Sequence, residues 1–196
     1  MKKILLFFVS LFMVVTVFAD GHLTFKGMEI NGTLNAFSNQ LTSKGYKHVY
    51  TSDDGDAKIF SGAFAGVEDC EIFVLATPNS HIVWKVVVYL PKQTTWYALK
   101  SRYEDYKNSL TNKYGAPADD FHFFSSPYYE GDGYELQALN GDKCDYAAYY
   151  DTDLGVISIS LYGAGYGKGQ VKIGYEDKVN TKLKNESKKE SMSNDL

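Results

Sequence analysis

The chain has 196 residues, 44% hydrophobic and 22% charged, with a formal net charge of -4, the composition of an ordinary globular domain. Residues 20–176 carry 13 Lys and Arg against 20 Asp and Glu, a net of -7. A surface of that sign repels phosphate backbones and anionic headgroups, which speaks against nucleic acid and membrane surfaces as partners.

Met1-Lys2-Lys3 is a short cationic start, Ile4 to Phe18 is an almost unbroken apolar run, and Val17-Phe18-Ala19 sets up a cleavage site before Asp20. The segment reads as a signal peptide over 1–19. The run is short for a membrane span and no stop-transfer segment follows, so a retained anchor is the lesser reading. No cysteine follows the site, so lipoprotein anchoring is not indicated. The expectation is a protein with no membrane anchor after cleavage, periplasmic or secreted.

Gly21 to Ile30 alternates loosely through Leu23, Phe25, Met28 and Ile30, as a leading strand or an extended arm would. Thr33 is placed to cap a helix whose Leu34, Phe37 and Leu41 form one apolar stripe, with Gly45 ending it. Three strands are predicted next, over Lys58–Ala65, Cys70–Ala76 and Ile82–Leu90, with Pro78-Asn79-Ser80 as the turn between the last two. Thr94 or Thr95 caps the strongest helical signal. Trp96, Leu99, Tyr103, Tyr106, Leu110 and Tyr114 recur on one face, and Gly115 and Pro117 end the helix. Strand patterns return over Phe121–Phe124, Tyr134–Leu139, Lys143–Tyr150, Val156–Tyr162 and Gln170–Tyr175. From Asp177 the sequence is Lys, Asn, Glu and Ser with little to bury, so residues 177–196 are expected to be a disordered polar tail.

The order predicts a single α+β domain over 20–176, an antiparallel sheet with two main helices packed on one face. The two halves also rhyme. Phe60 to Gly66 followed by Cys70-Glu71-Ile72 parallels Glu135 to Gly141 followed by Cys144-Asp145-Tyr146. This suggests a tandem duplication with units at 31–91 and 92–162, although any two antiparallel hairpins share some pattern. A helix, the strand Phe60-Ser61-Gly62-Ala63-Phe64-Ala65-Gly66, and a second helix opened by Trp96 and closed by Lys113-Tyr114-Gly115-Ala116-Pro117 resemble a family of uncharacterised secreted bacterial proteins. The resemblance runs from about Phe25 to Asn180. It implies an arrangement similar to the beta-lactamase inhibitory protein, in which tandem helix-plus-sheet units present a concave sheet face. It does not imply inhibition, because none of that protein's contact residues can be placed here.

Cys70 and Cys144 are the only cysteines. In an oxidising compartment a Cys70–Cys144 disulfide is the expected use, closing a loop of about 74 residues that would contribute on the order of 4 kcal/mol. The alternative is two buried thiols that never meet. The spacing of the two suits neither redox catalysis nor a metal.

Catalytic signatures are sparse. There is no Gly-x-Ser-x-Gly and no His-Glu-x-x-His, and the four histidines are scattered. Asp151-Thr152-Asp153-Leu154-Gly155 begins like a calcium loop but lacks the later Glu and sits between two strands, as a hairpin turn does. Gly163 to Gly169 holds a lysine among glycines without the spacing of a phosphate cradle. No metal or cofactor is expected. The aromatics carry more: 16 Tyr and 12 Phe, with tyrosines gathered in the second half, where large amphipathic rings suit protein or carbohydrate surfaces. Tyr128, Tyr129, Tyr146, Tyr150 and Tyr166 are the candidate contact residues. The reading is an exported, non-enzymatic binding domain whose partner is a protein or carbohydrate at the cell envelope or outside. The alternative is an exported hydrolase using carboxylates that form no motif.

Overall fold

The computed structural model describes residues 21–194; the expected signal peptide lies outside them. Among these residues the elements run β1 (Thr24–Phe25), β2 (Met28–Glu29), α1 (Leu34–Ser43), β3 (Lys47–Thr51), β4 (Ala57–Phe64), β5 (Val67–Ala76), β6 (Val83–Tyr89), α2 (Trp96–Tyr114), β7 (Asp119–Phe124), α3 (Glu135–Asn140), β8 (Cys144–Thr152), β9 (Gly155–Gly163), β10 (Gly169–Asp177) and α4 (Lys178–Asn194). β3 to β10 form one antiparallel sheet of eight strands in the order β3-β4-β5-β6-β10-β9-β8-β7, and β1 and β2 make a separate two-stranded hairpin. The α+β class with an antiparallel sheet is therefore as the sequence predicts.

Local chemistry explains the two longer predicted helices. The Thr33 hydroxyl accepts the Ala36 N–H at 3.2 Å, and the Thr95 hydroxyl accepts the Ala98 N–H at 3.3 Å, each filling one of the donors a helix start leaves open. α1 closes with Gly45 at φ 91°, which lets the Tyr46 N–H return to the Leu41 carbonyl at 3.1 Å. α1 buries Leu34, Phe37 and Leu41, and α2 buries Leu99, Tyr103 and Leu110. α1 packs on β4 and β5, and α2 on β8, β9 and β10.

The register sorts the sheet into two faces, because neighbouring residues of a strand point to opposite sides. Ile72, Val88, Ile173, Ile159 and Ala148 stand opposite one another across five strands, and all are buried. Phe25 of the β1–β2 hairpin is 1% exposed; it stacks on Phe64 with centroids 5.8 Å apart and meets Tyr175 edge-on at 5.5 Å. The arm of the sequence reading is thus a hairpin built into the core.

Three expectations need correction. Cys70 and Cys144 are free. Cys70 lies in β5 and Cys144 in β8, with β6, β10 and β9 between them. Four inter-strand steps of roughly 4.8 Å separate the chains by about 19 Å, far beyond a disulfide's reach. Burial pushes the Cys144 thiol up to about 12, with Asp145 and Glu130 adding to the effect, so it is a poor nucleophile. Alkylation of unfolded, unreduced protein is expected to label both thiols, and a reductant to leave the melting temperature unchanged; one disulfide-linked product would contradict the strand order.

Second, the expected disordered tail is ordered where it meets the sheet. Lys178–Asn194 is helix α4, and its first turn is anchored by side chains that hydropathy alone ignores. Asn180 is 2% exposed, and its side-chain amide donates to the carbonyl oxygens of Ile30 at 3.0 Å and Val83 at 2.9 Å. The domain therefore extends past 176. Third, Tyr134–Leu139 is not a strand. The Asp132 carboxylate accepts the Tyr134 N–H at 2.7 Å, the Glu135 carboxylate accepts the Gly131 N–H at 2.9 Å, and the six-residue α3 follows. The internal rhyme thus matched a strand, Phe60 to Gly66, with a helix.

Candidate functional site

The second face of the sheet carries a different set of side chains. Glu71, Tyr89, Lys172, Ser160, Ala147 and Phe121 stand in one cross-strand row, and Phe73, Val87, Gly174, Ser158 and Tyr149 in the next. The middle of this face has a low floor, made by Gly174, Ser158, Ser160 and Ala147. A Cβ at Gly174 would come 2.7 Å from the Ser158 hydroxyl oxygen, so any side chain there would displace that hydroxyl.

Aromatic rings stand on both sides of the floor. On one side Phe73 meets Tyr89 edge-on at 5.1 Å, and Tyr89 meets Tyr162 at 5.4 Å. On the other Phe121 meets Tyr149 at 6.2 Å, and Phe123 lies beside them, 49% exposed. Phe73, Tyr89, Lys172, Ser158 and Ser160 are half-buried, and Tyr162 is 46% exposed. Burial, and then the neighbouring Tyr162, push the Tyr89 hydroxyl above its usual range. A depression of about 440 Å³ at one end of this face is bounded by Glu71, Phe73, Tyr89, Tyr162, Lys92, Gln170 and the 163–165 segment. Such a surface offers contact area with polar tips and a shallow relief.

The predicted tyrosines divide. Tyr166, at the tip of the glycine-rich loop, is fully exposed, Tyr129 is exposed and Tyr128 is half-buried. Tyr146 and Tyr150 are core residues, 4% and 1% exposed, and so offer no contact surface. Tyr150 lies opposite Ile157 on the buried side of the sheet; its hydroxyl donates to the Lys107 carbonyl at 3.1 Å and lies 3.0 Å from the Thr111 hydroxyl. Tyr146 packs edge-on against Trp96 at 5.3 Å and donates to Glu130 at 3.0 Å. Sequence reading missed Phe73, Tyr89 and Lys172. The available signal was strand alternation: Phe73 is out of phase with the buried Cys70, Ile72 and Val74.

Carboxylates gather elsewhere. A groove of about 440 Å³ between the start of α2 and the segment before α3 is lined by Trp96, Tyr97, Lys100, Glu104, Glu130 and Glu135, among others. The Lys100 ammonium, and with it the Tyr146 hydroxyl, hold the Glu130 carboxyl below its usual range against a smaller effect of burial. A carboxylate so held gives stability above its unfolded pKa that is lost as pH falls through the folded value. With Glu130 nearly half exposed that contribution is under about 1 kcal/mol. Glu130→Gln is therefore expected to flatten acid sensitivity near pH 4 only slightly, measured by thermal melts between pH 3 and 6. Among the described residues no group of three or more His, Cys, Asp or Glu is placed to hold a metal ion, and no helix is long and apolar enough to cross a membrane.

No protein-family model matches the chain, and no curated protein or solved structure was found to be significantly similar to it.

Proposed function

We propose that the protein is an exported, non-enzymatic binding domain that holds its partner on the open face of the eight-stranded sheet. The observation that carries this is the half-exposed aromatic set Phe73, Tyr89 and Tyr162, beside a floor of Gly174, Ser158, Ser160 and Ala147. Aromatic rings left wet on a rigid sheet are contact area that costs little entropy to use. Export rests on the N-terminal segment, with Asp20 as the first mature residue, which mass spectrometry of the protein recovered from the periplasm or medium checks.

The element order supports a finer reading of the fold as a duplication. Each half is a helix followed by four strands of the large sheet, 34–89 and 96–177, with α3 inserted in the second and the halves joined where β6 pairs with β10. These limits replace those suggested by the rhyme. Helices sharing one face fit the same scheme: a Cβ at Gly169 would meet Leu99 of α2 as well as Leu136 and Leu139 beside it in α3.

Affinity capture from the cell envelope and medium, run with the natural chain and with a Tyr89→Ala, Tyr162→Ala double variant, tests the site. A partner held by the first and lost by the second is the expected result; equal retention of every partner would place binding elsewhere. The hydrolase reading has one observation in its favour, the three glutamates of the Trp96 groove. A hydrolytic activity abolished by Glu130→Gln would establish it.

A further inference from the structure

Lys172 stands near the centre of the open face. It is opposite Tyr89 on one side and Ser160 on the other, with its ammonium 5.8 Å from the Tyr162 ring centre. The ion-paired lysines among the described residues are Lys85, Lys100 and Lys107, joined to Glu176, Glu130 and Asp120; Lys172 is not among them. A half-buried cation with no carboxylate within ion-pairing distance is costly, and a carboxylate delivered from outside would offset that cost through a charge-assisted hydrogen bond. Burial, and then the neighbouring Lys85, draw the ammonium below its usual range against a smaller opposing effect of Asp145, the state an incoming anion relieves. The rings around it are tilted 69° and 66° to one another. They form walls rather than the coplanar platform on which sugar rings stack, and so suit the side chains of a protein surface.

We propose that Lys172 is the anion-accepting centre of the open face and that the partner is a protein which seats an aspartate or glutamate on it, its flanking apolar atoms lying against Phe73, Tyr89 and Tyr162. The inference rests on the open face being the binding surface. The chain as a whole is acidic and Glu71 stands in the same cross-strand row, so this attraction is local, set by Lys172 with Lys92 nearby among the aromatic rings rather than by net charge. The Ser160 hydroxyl, on the neighbouring strand, is placed to supply a second donor to the same carboxylate.

The test is selection of a phage-displayed library of random twelve-residue peptides on the protein. Affinities of the selected peptides are then measured for the natural chain and for Lys172→Gln, Lys172→Arg and Tyr89→Ala. Peptides enriched in Asp or Glu beside apolar residues are expected, with binding weakened about tenfold or more by Lys172→Gln and by Tyr89→Ala, and largely kept by Lys172→Arg. Binding lost on Tyr89→Ala but indifferent to Lys172→Gln would overturn the anion centre and leave the open face standing. Indifference to both would remove the open face as well. An oligouronate bound through Lys172 where no peptide binds would overturn the protein partner in favour of an acidic glycan. Failure of both probes to bind would overturn the anion centre.

Discussion

Replacing Asp177 by alanine is expected to destabilise the protein by about 3 to 5 kcal/mol, because the change strands buried donors rather than merely deleting a charge. Asp177 is wholly buried where β10 passes into α4. Its carboxylate accepts the Leu23 N–H at 2.8 Å and the Asn180 N–H at 2.8 Å, and His22 Nδ1 lies 3.1 Å from it. One side chain therefore fastens the N-terminal arm and the first turn of α4 to the sheet. At about 2 to 4 °C per kcal/mol for a chain of this size, the melting temperature falls by on the order of 10 °C. Asp177→Asn, which keeps an acceptor, is expected to lose about half as much. Truncation before Asn180 should resemble the alanine variant, and truncation after Lys182 should cost little. An Asp177→Ala variant melting within 2 °C or so of the natural chain would mean that water reaches those donors.

The second large effect is Phe25→Ala, for which about 3 to 5 kcal/mol is expected from lost burial and the cavity left behind. Phe25 belongs to a hairpin of only two paired residues per strand. Such an element has no stability of its own, so it stays in place through Phe25, Leu23, Met28 and Ile30, all buried. Removal of the ring takes contacts from Phe64 at the end of β4 and Tyr175 in β10 at once. Urea unfolding should show a lower midpoint with an unchanged slope if the hairpin remains docked. A lower slope as well would show that the arm has peeled from the native state.

A smaller effect of opposite sign checks the same core. The Tyr103 hydroxyl is buried without a hydrogen-bond partner, and burial pushes it far above its usual range. Tyr103→Phe removes only that oxygen and is expected to leave stability unchanged or raise it by about 1 kcal/mol. Tyr150→Phe, which breaks two hydrogen bonds, should lower it by about 1 to 2 kcal/mol. Equal losses for both would mean that Tyr103 has a partner.

Features whose cause is local were legible in the chain. Thr33 and Thr95 bond to N–H groups three residues on, and a helix begins at each. The apolar alternation of β4, β5, β6, β8, β9 and β10 likewise marks strands without reference to what they touch. β3 escaped because only its last residue is partly covered, which leaves no alternation to read. α3 escaped because six residues are too few to separate a helical period from a strand.

What depends on partners far along the chain was decided by the tertiary structure. Asp177 and Asn180 read as tail residues because their bonding partners lie in other elements, about 100 to 150 positions away. The order of strands, not the number of residues between them, parts Cys70 from Cys144. For the tyrosines, alternation alone says that Tyr146 and Tyr150 share one side of β8 and Tyr149 the other. Which side is wet follows only from the register with β9, which sets Tyr150 opposite Ile157 in the core and Tyr149 opposite Ser158 on the open face. A period of two names the members of each face; burial is a property of what packs against it.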